Sequence, residues 1–163
     1  GVGYAGRFAE RTRKEAEEMT ALNDAAVVSV THIVLPYLVS PSNIIILASA
    51  SAFLPQREFA VYAASKAFVL SFARALNAEL SPNGIHVTAA CPGPVDTEFL
   101  EKCYDAREEK LVKKMVKAAP EPVVKKALKD AKAGKDISVY GAPMKLVHVA
   151  SKVLPSKLLM KLM

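Results

Sequence analysis

A tyrosine and a lysine one helical turn apart are the residues of this chain whose types and spacing first suggest chemistry. They are the ends of the run Tyr62-Ala63-Ala64-Ser65-Lys66. If residues 61–80 form a helix, Tyr62 and Lys66 stand at positions i and i+4 on one face. An unperturbed tyrosine has a pKa of about 10, and a neighbouring ammonium lowers that pKa because it stabilises the phenolate. The spacing therefore predicts that Tyr62 transfers a proton to or from the oxygen of an alcohol or a ketone.

A serine and a Pro-Gly pair stand on either side of this run. Ser49 lies thirteen positions before Tyr62, after an apolar run at 44–47, and Pro92-Gly93 follows the predicted strand at 85–91. A hydroxyl at the end of a buried strand can donate a hydrogen bond to a substrate carbonyl and stabilise a developing oxyanion. Ser51 competes for this role, but the spacing to Tyr62 favours Ser49.

In this order the three motifs resemble the short-chain dehydrogenase/reductase family. The signature of that family is Tyr-x-x-x-Lys, with a serine at the same distance upstream and a Pro-Gly motif after the next strand. Tyr-x-x-x-Lys alone is a weak signal, whereas the combination is much more specific. A further catalytic residue of the family, an asparagine in the preceding helix, matches Asn23, and the resemblance runs from Gly1 to about Gly141.

The resemblance implies a catalytic set of Asn23, Ser49, Tyr62 and Lys66. Tyr62 would carry the proton, and Ser49 would orient the substrate oxygen. Lys66 would hold the nicotinamide ribose, while Asn23 would hold a water molecule that relays protons to Lys66. Plainer interpretations remain open: Tyr62 as a packed aromatic residue, Lys66 as a surface lysine with a buried stem, and Asn23 as a polar break where a helix bends.

The resemblance also implies an NAD(P) cofactor, with NADP favoured over NAD. Backbone groups of Val95 would bind the carboxamide, and Thr97 would reach a phosphate. The cofactor-binding positions implied in this way are Gly1, Tyr62, Lys66, Pro92, Gly93, Val95 and Thr97. The expected reaction interconverts a ketone and a secondary alcohol, and an apolar, basic C-terminal region favours a hydrophobic substrate.

The apolar periodicity predicts an α/β fold, the C-terminal part of a Rossmann-like doubly wound parallel sheet with helices on both faces. Ser40 to Asn43 reads as a turn, and the strand at 44–47 is expected to be buried on both faces, as in a parallel sheet. Residues 96–118 match the family's substrate-covering segment. We predict a catalytic domain at 1–141 and a basic amphipathic helical tail at 142–163. The other predicted elements are helices at 9–37 and 61–80 and strands at 85–91 and 137–140.

The beginning of the chain, Gly1-Val2-Gly3-Tyr4, resembles the end of the Asn-Asn-Ala-Gly segment that closes the family's fourth strand. We therefore expect an N-terminally truncated fragment, with the glycine-rich turn for the pyrophosphate lying upstream. The isolated chain would then be marginally stable or prone to associate, and as a fragment inactive. The alternative is a non-catalytic remnant or a partner-binding module that does not bind the cofactor.

The composition and charge of the chain indicate which classes of partner it binds. The chain has 163 residues and a net charge of +6, with lysines concentrated at 110–135 and in the tail. Because aromatic residues are not interleaved with these lysines, we predict no nucleic-acid partner, and peripheral membrane contact through the tail is the alternative to a solvated face. Two unpatterned cysteines favour a cytoplasmic location. His32, His86 and His148 are scattered, so we predict no metal site. The resemblance adds a homo-oligomer built on the helices near 16–35 and 61–80.

Overall fold

The computed structural model describes residues 1–104 and 116–162. Helix α1 (Arg13–Thr20) begins after Thr12, whose side chain accepts the backbone N–H of Glu15, while the Glu15 carboxylate accepts the N–H of Thr12. This capping box fixes the start of the helix. The prediction that the helix begins at residue 9 is wrong, because Phe8–Glu10 form a separate 3₁₀ turn.

The helical path continues from α1 through a π turn at Ala21–Ala25 into α2 (Ala26–Val34) and ends in a 3₁₀ turn at Leu35–Tyr37. Among the described residues, the stretch Arg13–Tyr37 is the one helix long and apolar enough to cross a membrane by length and composition. Core helices of soluble proteins and signal sequences pass the same test, so the finding is weak evidence of a membrane span.

Within residues 1–104 and 116–162, three parallel strands form the sheet in the order β1 (Ser42–Leu47), β2 (Ile85–Ala90) and β3 (Ile137–Ser138). Ser42 stands opposite Ile85, and Leu47 stands opposite Ala90. Helix α3 (Ala60–Leu80) connects β1 to β2 and packs against both strands. The structure confirms the predicted α/β class with a parallel, Rossmann-like sheet.

The strand β1 is not buried on both faces, so that part of the prediction is wrong. Ile46 is buried in the core, but Ile45 and Leu47 are exposed, Leu47 to 63 %. Among the described residues β1 pairs only with β2, which leaves its other edge without a neighbouring strand. The buried members of the core cluster are Ile46, Ala48, Val69, Ala73, Val87, Ala89, Cys91 and Val139.

After β2 the chain forms α4 (Glu98–Cys103), α5 (Pro120–Lys132), α6 (Ala142–Val153) and α7 (Ser156–Leu162). Part of the expected substrate-covering segment, residues 105–115, lies outside the described residues. Strand β3 is two residues long, shorter than the predicted strand at 137–140. Met144 in α6 packs against the core cluster, so the first turn of the predicted tail lies against the sheet.

Candidate active site

Two loops meet at the carboxyl edge of the sheet. Ser49 follows β1, and Pro92 follows β2. The backbone N–H of Ala50 donates to the carbonyl of Pro92 at 2.8 Å, which joins the two loops. In open parallel sheets, ligands bind in the crevice outside the carboxyl ends of the strands.

The hydroxyls of Ser49 and Tyr62 meet at this edge. Ser49 is the residue that precedes a 3₁₀ turn, and its Oγ accepts the backbone N–H of Ser51 at 3.1 Å. This contact holds the Ser49 side chain near Tyr62, where it opposes the larger, upward effect of burial on the pKa of the phenol. Ser51 thus contributes a backbone group that orients Ser49.

Tyr62 lies in an apolar enclosure and is only 6 % exposed. Its ring packs against Phe59 at a centroid distance of 4.6 Å and against Phe99 of α4 at 5.6 Å. Burial raises the pKa of Tyr62 to about 12, and the nearby Ser49 side chain only partly opposes this rise. The expectation of a lowered pKa is therefore wrong for this structure, because the loss of water around the phenol outweighs stabilisation of the phenolate.

Lys66 lies beneath the same ring. Its Nζ is 5.7 Å from the centroid of Tyr62 and donates a hydrogen bond to the carbonyl of Leu47 at 3.1 Å. The residue is 6 % exposed, so its ammonium does not reach the surface as a snorkelling lysine would. Burial lowers the pKa of Lys66, and the carboxylate of Asp24 opposes that change.

Asn23 joins the helical segment to the rest of the site from within the π turn. Its Oδ1 accepts the N–H of Val2 at 2.9 Å, and its Nδ2 donates to the Val2 carbonyl at 2.8 Å and to Ser65 Oγ at 3.2 Å. Ser65 in turn donates to the carbonyl of Tyr62. Sequence reasoning assigned no role to Ser65, although its position three residues after Tyr62 places it on the same helical turn.

The N-terminal glycines lie against this cluster. A side chain at Gly1 would place its Cβ 2.5 Å from Asn23 Oδ1, and one at Gly3 would place its Cβ 3.1 Å from the Tyr62 ring. Gly1, Gly3 and Gly6 have the spacing of a dinucleotide-binding fingerprint, but a 3₁₀ turn rather than a helix follows them. Gly1 and Gly3 therefore serve as close-packing positions beside Asn23 and Tyr62, and Gly6 packs against Arg11, so the three do not form a phosphate loop in this structure.

The loop after β2 extends away from this cluster. Gly93 is approached by Met144, since a Cβ there would lie 2.8 Å from Met144 Cγ. Val95 forms a parallel bridge with Ala118, and the Thr97 hydroxyl donates to the Val95 carbonyl at 3.4 Å. The described contacts of Val95 and Thr97 thus link them to Ala118 and to each other rather than to Tyr62.

The structure adds groups that sequence reasoning missed: Phe99, the Leu47 carbonyl and Asp24. Of these three, only Asp24 had a signal in the sequence, as the charged neighbour of Asn23. Within residues 1–104 and 116–162, no group of three or more His, Cys, Asp and Glu side chains could hold a metal ion. His148 instead stacks on Phe53 at a centroid distance of 4.5 Å.

A parallel α/β sheet with a Ser, Tyr and Lys cluster at its carboxyl edge defines the class of Rossmann-like oxidoreductases. The family model described as short chain dehydrogenase matches residues 1–108, and the chain belongs to this family of oxidoreductases.

Relatives and solved structures agree with this assignment. An uncharacterized oxidoreductase of Staphylococcus epidermidis is 33 % identical over 113 residues, which cover 68 % of this chain and 49 % of that protein. A dehydrogenase of Cochliobolus heterostrophus is 36 % identical over 102 residues, or 63 % of this chain and 44 % of that protein. The chain spans about half the length of these curated relatives.

Among solved structures, a short-chain dehydrogenase from Sphingobium yanoikuyae in complex with NADPH superposes with a TM-score of 0.76 at 26 % identity, over 94 % of this chain and 61 % of that one. A short chain dehydrogenase from Burkholderia cenocepacia in complex with NADP gives a TM-score of 0.82 at 23 % identity. That match covers 100 % of this chain and 67 % of the other chain. The second likeness concerns the fold alone.

Proposed function

We propose that the protein to which this chain belongs is an NAD(P)-dependent oxidoreductase that interconverts a ketone and a secondary alcohol. The observation that carries the proposal is the buried cluster of Ser49, Tyr62 and Lys66, in which the ammonium of Lys66 lies 5.7 Å from the centroid of the Tyr62 ring. A hydrogen-bond donor, a proton carrier and a fixed cation are the groups that reaction at a carbonyl oxygen needs.

The roles follow from the chemistry of each group. With a pKa that burial raises to about 12, the Tyr62 hydroxyl is protonated at neutral pH, so Tyr62 can donate a proton to a carbonyl oxygen in the direction of reduction. Ser49 donates a hydrogen bond to the same oxygen and stabilises the negative charge that develops there. Lys66 stabilises the phenolate that remains. Asn23 fixes the segment around Val2 against Ser65, and through Ser65 it supports the helix that carries Tyr62 and Lys66.

The proposed cofactor is NAD(P), with NADP favoured because the 26 % identical Sphingobium structure holds NADPH. When bound, the nicotinamide supplies or accepts the hydride. Gly1, Tyr62, Lys66, Pro92, Gly93, Val95 and Thr97 are the proposed binding positions. The loops after β1 and β2 fit this use, because they converge at the carboxyl edge of a parallel sheet.

Two features support further parts of the proposal. The aromatic rings of Phe59 and Phe99 around Tyr62 favour a hydrophobic substrate. Val30, Ile33 and Phe68 are exposed apolar residues on α2 and α3, the helices on which we propose a homo-oligomer.

The test replaces Tyr62 with phenylalanine in the full-length protein. Tyr62→Phe removes the proton and keeps the ring, so kcat should fall by about 10²–10⁴-fold. Binding of NADPH, measured by quenching of its fluorescence, should stay nearly unchanged. Tyr37→Phe is the matched control, because Tyr37 is an exposed tyrosine in the 3₁₀ turn after α2. Ordinary turnover by Tyr62→Phe would refute the assignment of Tyr62.

A further inference from the structure

Helix α6 has two different faces. Its inner face contacts the loops of the candidate site, since Met144 packs against Gly93 and His148 stacks on Phe53. Its outer face carries apolar side chains in water: Leu146 is 71 % exposed and Val153 is 75 % exposed. Val149 lies between them along the helix and is also exposed. Because residues three and four apart share a face of a helix, these residues form one apolar stripe.

Lysines border this stripe. Lys145 and Lys152 are exposed, seven residues apart, and therefore lie on one line along the helix beside the stripe. Lys157 follows at the start of α7, where Leu158 is another exposed apolar residue. Residues 137–163 contain four lysines and no aspartate or glutamate. The surface is thus both apolar and positively charged, with no acidic residue of its own segment to neutralise it.

We propose that the outer face of α6, together with Leu158 and Lys157 of α7, docks on an anionic lipid surface. A helix that presents an apolar stripe edged by lysines lies in the plane of the membrane interface, with its apolar residues among the acyl chains. The lysines then meet negatively charged headgroups. We call this surface the α6 face.

The charge pattern favours a lipid surface over the other occupants. In a symmetric contact between two copies, the lysines of one α6 face would meet those of the other without a carboxylate from residues 137–163 between them. A nucleic acid would use the lysines but would leave Leu146, Val149 and Val153 without a function. A bilayer with acidic headgroups uses both properties of the surface.

Docking in this way places the candidate site near the lipid. The inner face of α6 touches Gly93 and Phe53, and a helix with its side chains is about 10 Å thick. Gly93 and Phe53, which form the rim of the candidate site next to α6, would therefore lie within about one helix diameter of the membrane interface. A hydrophobic substrate could pass from the bilayer to that rim without crossing bulk water.

The experiment is co-sedimentation of the purified chain with vesicles of phosphatidylcholine alone and of phosphatidylcholine with phosphatidylserine. The expected result is sedimentation with the anionic vesicles that weakens at high salt. A lysine near an anionic surface contributes about a fivefold increase in partitioning, so neutralising three lysines should reduce partitioning by about 100-fold. That variant is Lys145→Gln, Lys152→Gln and Lys157→Gln together. Leu146→Ser, Val149→Ser and Val153→Ser together should also abolish sedimentation.

Helix α5 offers a matched control. Val124 and Leu128 are exposed apolar residues among lysines, but Glu121 and Asp130 pair with lysines on that helix. Val124→Ser with Leu128→Ser should therefore leave sedimentation unchanged. Circular dichroism checks that each variant is folded, as expected for substitutions of exposed side chains.

Three results would overturn the proposal. The first is sedimentation of the wild-type chain that is absent or equal for both vesicle types. The second is equal sedimentation by the wild-type chain and the serine variant, which would leave only a general affinity for polyanions. The third is conversion of a dimer into a monomer by the serine variant in analytical ultracentrifugation, which would make the α6 face a contact between copies. None of these results depends on catalytic activity.

Discussion

At the scale of single residues, Tyr62 is buried, and the aromatic rings of Phe59 and Phe99 pack against its own ring. The Tyr-x-x-x-Lys spacing correctly places Lys66 beneath the tyrosine ring. It could not predict the direction of the pKa shift, because the rings responsible come from Phe59 and from Phe99, 37 residues further along the chain. Proximity of a cation is a local property, whereas burial depends on the whole fold.

Titration at alkaline pH tests whether burial dominates the pKa of Tyr62. In the window from about 10 to about 12 the folded chain keeps the Tyr62 proton while the unfolded chain has lost its proton, so the free energy of unfolding falls as pH rises. Two pKa units correspond to about 3 kcal/mol. Ultraviolet titration of Tyr62→Phe should lack the last tyrosine to ionise, whereas Tyr37→Phe should keep it. If the tyrosine that disappears from the titration of Tyr62→Phe has a pKa near or below 10, burial is not the dominant influence on the pKa of Tyr62.

Asp24 gives a second prediction at this scale. Its Oδ1 is buried without a hydrogen-bond partner in the described part of the chain, and its charge raises the pKa of Lys66 against the effect of burial. Asp24→Asn should therefore lower the pKa of Lys66, as followed by heteronuclear NMR titration of the lysine side chain. Asp24→Glu keeps the charge and should keep most of the effect. An unchanged Lys66 pKa in Asp24→Asn would exclude Asp24 as an electrostatic partner.

At the scale of elements, sequence periodicity located α3 and the first two strands within two residues of their observed ends. It failed where a local motif interrupts the pattern: the Thr12 capping box begins α1 later than expected, and the π turn at Ala21–Ala25 redirects Asn23. Such turns occur frequently at functional sites. Asn23 therefore interrupts the regular helix and also belongs to the candidate site, because both properties follow from its position in the π turn.

The junction between α5 and β3 depends on one carboxylate. Asp130 is buried and accepts hydrogen bonds from Lys126, from Lys135 at 2.9 Å and from Ser138 of β3 at 2.7 Å. Burial alone would raise the pKa of Asp130, but these bonds outweigh it and lower the pKa to about 2. The carboxylate therefore stabilises the fold above the unfolded-state pKa of about 4, and this stability is lost as pH falls through about 2.

Asp130→Asn should lower the free energy of unfolding at neutral pH by about 1.5–3 kcal/mol, the range for hydrogen bonds to a charged group. Urea unfolding at a series of pH values from neutral to acidic measures the free energy of unfolding and its change with pH. In the variant, the fall of this free energy with decreasing pH should be smaller than in the wild-type chain. Asp136→Asn is the control, since Asp136 forms a partly exposed ion pair with Arg74 and should cost no more than about 1 kcal/mol. If the two substitutions lower the free energy of unfolding equally, the buried position of Asp130 contributes no extra stability.

At the scale of the whole molecule, the candidate site is assembled from segments far apart in sequence: the N-terminal residues, the π turn, the loops after β1 and β2, and α3. The resemblance of the motifs to the family predicted that these segments lie close together. The hydrogen bonds between Val2 and Asn23 attach the N-terminal segment to the site. Periodicity alone could not predict which faces are exposed. Burial of a strand side chain depends on what packs against its face of the sheet, and the face of β1 that carries Ile45 and Leu47 is exposed in the described part of the chain.

The open edge of β1 leads to the last prediction. Ile45 and Leu47 are exposed on a strand whose other edge has no described partner, a combination that promotes association between chains. Ile45→Thr with Leu47→Thr keeps side chains tolerated in strands while reducing apolar exposure. Light scattering across a concentration series should show weaker self-association, and urea unfolding should change little because little buried surface is lost.

Ile46→Thr is the matched control, because its neighbours are the core residues rather than water. A hydroxyl buried among them costs about 1–3 kcal/mol when it lacks a hydrogen-bond partner, so this variant should lose stability. It should also associate no less than the wild-type chain, since the exposed residues remain. If the double variant instead unfolds as readily as Ile46→Thr, Ile45 and Leu47 are buried in solution by contact with another copy of the chain.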